Sequence, residues 1–151
     1  MLSIRHKIGI KGSVEKIFNA LSTQKGLSGW WTQDTIADSH EGGEIRFSFE
    51  KRLDKEFDVL VKITALKPNK VSWKVMEGPE EWMNTEITFD MNPGKEEVVL
   101  YFTHKNWSNP TDFMAQCNTK WAVFLLSLKD LVETGQGHPF PNDIRIGHSG
   151  A

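Results

Sequence analysis

Five histidines and one cysteine, scattered among carboxylates, are the groups in this sequence that could do chemistry. His6, His40, His104, His138 and His148 never stand three or four residues apart, so no helix can carry a two-histidine metal pair. A single cysteine, Cys117, excludes an internal disulfide and any multi-cysteine zinc or iron–sulfur centre. No metal and no cofactor are expected. There is no Gly-x-Ser-x-Gly elbow, P-loop or dinucleotide fingerprint, and Gly42-Gly43 belongs to a hairpin turn. Cys117 falls between Phe113 and Trp121 on one helical stripe with no basic neighbour, so it reads as apolar filler, not as a nucleophile. His104 follows Val98, Leu100 and Phe102 at even spacing, which turns it to the same inward side. There it can hydrogen-bond or exchange a proton with a bound ligand. The favoured reading is blander: a histidine tied to backbone where the last strand meets the final helix. His6 shares that ambiguity. What remains unusual is the six Trp and nine Phe.

These rings need elements to position them. Ile4, His6, Ile8 and Ile10 alternate with polar residues, the pattern of a half-buried strand. Ser13 suits a helix N-cap, and Val14, Ile17, Phe18 and Leu21 follow at helical spacing. A second short helix is expected between Thr23 and Trp31, interrupted near Gly26 and Gly29. Thr32 to Asp38 is a plausible strand. The rest reads as strands built on Ile45-Phe47-Phe49, Phe57-Val59-Val61-Ile63, Val71-Trp73-Val75, Ile87-Phe89-Met91 and Val98-Leu100-Phe102-His104. The turns between them, Lys67-Pro68-Asn69-Lys70, Gly78-Pro79-Glu80-Glu81 and Asn92-Pro93-Gly94-Lys95, are too short for parallel crossovers. The charge run from Glu50 to Glu56 is expected to be a solvated hairpin.

A long final helix is expected from an Asn109 N-cap, with Pro110 in its first position, to a stop at Gly135. Phe113, Cys117, Trp121, Phe124 or Leu125, Leu128 and Val132 form its apolar side. The residues after Gly137 read as an extended tail. The fold class is therefore α+β: a curved antiparallel sheet of six to seven strands around a long C-terminal helix, with two short helices after the first strand. A helix is about 10–12 Å across, whereas such a sheet is roughly 30 Å wide. With only that helix to cover it, the sheet must curl, and inward rings would line a hollow.

Bulk composition narrows the function classes. Lys+Arg number 18 against 20 Asp+Glu, a net charge of -2, which disfavours nucleic-acid binding by phosphate neutralisation. The longest apolar run, Trp121–Leu126, is far short of a membrane span. The first residues lack the apolar stretch of a signal peptide. The expectation is a cytoplasmic protein with one domain over 1–151, its core at about 3–136 and its tail at 137–151.

Several segments resemble the START-like (SRPBCC) superfamily. Ser13-Val14-Glu15-Lys16-Ile17-Phe18-Asn19-Ala20-Leu21 followed by Leu27-Ser28-Gly29-Trp30-Trp31 is similar to its opening helix pair, and Gly43-Glu44-Ile45-Arg46-Phe47 to its next strand. Thr103-His104-Lys105-Asn106-Trp107, and Asn118-Thr119-Lys120-Trp121 with Leu126-Ser127-Leu128-Lys129, resemble the heat-shock-ATPase-activator-like branch. The likeness runs over about residues 3–142. It implies a helix-grip fold, often with an apolar cavity, in a superfamily of lipid carriers, hormone receptors and polyketide cyclases.

The leading expectation is a binder of a lipid-like or polyketide-like apolar or aromatic small molecule between sheet and helix. Trp31, Phe47, Phe49, Trp73, Phe89, Phe102, Trp121 and Phe124 would form its walls, with Thr85 and His104 as polar anchors. The alternative is a co-chaperone-like module with a chaperone partner. A cyclase or dehydratase comes last, because the inward strand positions hold no Asp or Glu to pair for acid–base work. A monomer or weak dimer suits each of these.

Overall fold

The computed structural model describes residues 1–52 and 55–148. In chain order they form β1 (Leu2–Ile10), α1 (Val14–Ser22), α2 (Gln24–Ser28), β2 (Asp34–Ala37), β3 (Glu44–Arg52), β4 (Lys55–Lys67), β5 (Lys70–Glu77), a 3₁₀ turn (Glu80–Trp82), β6 (Glu86–Pro93), β7 (Val98–Trp107) and α3 (Asp112–Thr134). The strands make one antiparallel sheet in the order β1-β7-β6-β5-β4-β3-β2. Strands β2 to β7 are a meander, and β1 closes the far edge against β7. The turn of the charged hairpin expected over residues 50–56 lies outside the described residues.

Alternation sets the register. Ile45, Phe47, Val59, Val61, Trp73, Val75, Ile87, Phe89, Leu100 and Phe102 are all buried on the concave side. The opposite face carries cross-strand ion pairs, among them Arg46–Asp58 at 3.1 Å and Lys105–Glu86 at 3.5 Å. Such exposed pairs contribute little stability, up to roughly 1 kcal/mol each.

The helices start and stop for local reasons. The Ser13 and Thr23 hydroxyls accept bonds from Lys16 N and Gly26 N at the starts of α1 and α2. The final helix begins two residues later than its sequence suggests. Thr111, not Asn109, is the N-cap, its hydroxyl accepting Met114 N at 3.2 Å, and Pro110 stays outside. The Thr111 side chain can reach the free N–H of the first turn, and Asp112 adds favourable charge there. Gly135 ends the helix at φ 89°, a left-handed conformation that favours glycine.

α3 is not the sheet's sole cover. α1 and α2 fill one side of the concave face, with Trp30 and Trp31 buried at the end of α2. The segment after α3 folds back along the helix as a strap. Phe140 pairs with Thr32 in an isolated parallel bridge, donates from its N–H to Trp31 O at 2.7 Å and accepts Gln33 N at 3.1 Å. Ser127 Oγ accepts His138 N at 2.7 Å and donates to Trp30 O at 2.9 Å, joining helix, strap and α2 at one hydroxyl. Further along, the buried Asp143 carboxylate pairs with Lys120, whose ammonium also donates to Ile144 O at 2.9 Å. Gly137 permits this close return, because a Cβ there would collide with the Gly29 carbonyl oxygen.

At the other end of α3, Lys129 bonds the Gly9 carbonyl and Glu133, and Glu133 accepts Lys11 N at 2.8 Å. The Lys11 N–H and then the Lys129 ammonium hold the Glu133 carboxyl below its usual range. β1 is thereby anchored to the helix as well as to β7. Among the described residues, no helix is long and apolar enough to cross a membrane.

Candidate functional site

The pairing of β6 with β7 sets Ile87 opposite His104 and Phe89 opposite Phe102. The chain entering β6 therefore brings Thr85 beside His104. A tryptophan indole can only donate, so the Trp121 N–H, 3.1 Å from Nδ1 of His104, fixes that nitrogen as an acceptor. Nε2 then carries the proton and donates to Thr85 Oγ1 at 2.8 Å, and Thr85 donates onward to Trp82 O at 2.6 Å. The side-chain polar hydrogens of Trp121, His104 and Thr85 are all used. His104 is fully buried, and burial pushes its pKa down to about 3. A proton added at Nδ1 would face the Trp121 N–H head-on. The imidazole is a neutral link between helix and sheet, unsuited to moving protons at neutral pH.

The rings predicted as walls come together in one contiguous cluster. Trp31 is its hub, with centroids 4.2 Å from Phe47, 5.6 Å from Phe49, 6.1 Å from Trp73 and 5.0 Å from Trp121. Trp73 meets Phe89 edge-on at 5.1 Å, Phe89 meets Phe102 at 5.3 Å, and Phe102 meets Trp121 at 4.5 Å. These are the spacings of rings that pack on one another. Phe124 stands apart. It is buried, but its ring lies under the Lys120 ammonium at 5.5 Å, on the strap side of the helix.

Sequence reasoning missed Trp82 and Phe140. Trp82 stacks on Trp121 at 5.9 Å and meets His104 edge-on at 4.8 Å. It sits beyond a Gly-Pro-Glu-Glu turn where no periodicity marks a residue as inward. Phe140 seals the β3 side of the cluster, its ring 5.4 Å from Phe49. Two prolines flank it in a stretch that reads as coil.

Two further groups complete the picture. The Trp73 indole N–H, fully buried, has no hydrogen-bond partner among the described residues, and neither do those of Trp82 and Trp107. The Cys117 thiol, buried beside the same cluster, has its pKa pushed up to about 12 by desolvation, so it stays protonated and inert. Among the described residues no group of His, Cys, Asp or Glu is arranged to hold a metal ion. A hollow of about 420 Å³ opens outside the ring cluster, between the end of α2, the end of α3 and the strap, with Gln33, Leu131, Gln136, His138 and Asn142 on its walls.

The model for activator of Hsp90 ATPase homolog 1-like proteins matches residues 11–133. Among solved structures, the Aha1 dimer of Colwellia psychrerythraea is 47% identical, with a TM-score of 0.82 over 91% of this chain and 100% of that one. A Staphylococcus saprophyticus protein is 18% identical, with a TM-score of 0.72 over 90% of this chain and 95% of its own. The AHSA1-like protein of Aeromonas hydrophila is 17% identical, with a TM-score of 0.71 over 89% and 94%. These last two show the shared START-like fold alone. Among curated proteins, none matches.

Proposed function

Because the chain belongs to the activator of Hsp90 ATPase homolog 1-like family, we propose that it is a protein-interaction module of the activator type, raising the turnover of an Hsp90-kind chaperone ATPase from the cytoplasmic side through its outer surface. The observation that carries this reading is the closed chain Trp121–His104–Thr85–Trp82. The polar anchors that an interior guest or substrate would need are spent on the protein itself. The 47% identity to a protein named Aha1 supports the same reading, and that relative's dimeric state supports self-association here. The test is a steady-state ATPase assay of a purified Hsp90-type chaperone with and without this protein. Stimulation of several-fold is expected. Unchanged turnover, together with no heat of binding by calorimetry, would overturn it.

A second reading, a small-molecule binder, is favoured by one observation: the buried Trp73 N–H without an acceptor. Such a donor costs about 1–3 kcal/mol when left unpaired, and a flat guest bearing a carbonyl would recover that. Titration with aromatic ketones, fatty acids and sterols, followed by the Trp73 indole resonance, tests it. A resonance that none of them moves would remove it.

A further inference from the structure

α1 and α3 both lie on the sheet, yet the middle turns of α3, unlike α1, turn no charged face to water. The solvent side of α1 carries Glu15 and Lys16. Between Phe113 and Leu128 the sole charged residue of α3 is Lys120, and it is committed to the strap. The outward face over these turns presents Ala115, Asn118, Thr119, Ala122, Val123 and Leu126, uncharged throughout, and Leu126 is 53% exposed. A helix covering a sheet ordinarily turns charge to water there; a face without charge, with an exposed leucine on it, suits a second layer.

We propose that this face of α3 is the homodimer interface, packing antiparallel against the same face of a second copy. The inference rests on the self-association read above from the relative described as a dimer. Placing Thr119 opposite Ala122 of the second copy sets Ala115 opposite Leu126. The residue numbers in each opposed pair sum to the same value, so one two-fold axis satisfies both. The long side chain meets the short one. The sheet edges fit self-pairing less well. β1 shows Arg5 and Lys7 on its outward face, and antiparallel self-pairing would set like charges across from each other. β2 is four residues long.

Sedimentation equilibrium of the full chain tests this. The wild type is expected to show a concentration-dependent dimer, and Leu126→Glu to weaken its dissociation constant at least tenfold with an unchanged circular dichroism spectrum. Thr119→Cys with Ala122→Cys is expected to oxidise to a covalent dimer, while Lys7→Cys does not. A wild type that stays monomeric at millimolar concentration sinks self-association itself. A dimer indifferent to Leu126→Glu and cross-linked only through Lys7→Cys sinks this face and points to the β1 edge.

Discussion

The two ends of the aromatic cluster are held by different means. At the β7 end, three side chains and a backbone carbonyl form an unbroken hydrogen-bond chain, with rings packed around it. At the β3 end, Trp31, Trp73, Phe47 and Phe49 meet only as rings, and a strap residue, Phe140, closes the side; indole N–H groups without an acceptor occur at both ends, Trp73 at this one and Trp82 and Trp107 at the other. A directional network specifies one arrangement and penalises departures, whereas ring contacts slide at small cost. The β7 end is therefore built for uniqueness of structure, and the β3 end is where the protein can yield.

Four measurements sharpen or break that contrast. Among the substitutions Trp121→Ala should cost the most, about 4 kcal/mol in urea unfolding, because it removes a buried ring and strands His104 at once. A loss under about 1 kcal/mol would mean that the chain is not the keystone. Acid comes next. His104 titrates at about 3 when folded and near 6.5 when unfolded. Between those values the unfolded chain binds a proton that the folded one does not, so stability falls as pH drops from about 6.5 towards 3. The slope is ~1.4 kcal/mol per pH unit, flattening below the lower value. Subtracting the profile of His104→Gln isolates it; identical profiles would refute the neutral, buried imidazole. Phe140→Ala should cost about 2–3 kcal/mol and speed hydrogen exchange at the Trp31 and Trp73 indoles while leaving Trp121 slow. Uniform acceleration would erase the distinction between the ends. Thr85→Val, the mildest, should cost about 1–2 kcal/mol by leaving the His104 N–H and Trp82 carbonyl unpaired, with the indoles of the β3 end undisturbed.

Much of this was legible before any coordinates. Period-two alternation identified the strands and their inward residues, and a capping serine and helical spacing identified α1. The motif resemblance named the branch. The wall residues did converge, Phe124 excepted. What stayed hidden was how the remaining width of the sheet is covered. Width arithmetic implied a hollow under a single helix, but Trp82 and Phe140, together with the strap, contribute to the packing around the cluster. Neither residue lies in a periodic segment, so no pattern marks it as inward. The partners of His104 were equally out of reach. Thr85 and Trp121 lie 19 and 17 residues away, and only sheet register and helix placement bring them to its two nitrogens.

Because β1 lies against β7, the opening nine-residue strand has no neighbour until residue 107 has been synthesised. On the ribosome, the amino-terminal segment must wait, unpaired, while the meander assembles. Its insertion is then a late, long-range event that closes the sheet. Arg5 and Lys7 can be understood as keeping that waiting ribbon soluble: they give a tethered strand enough charge to resist sticking to other nascent chains before its berth exists.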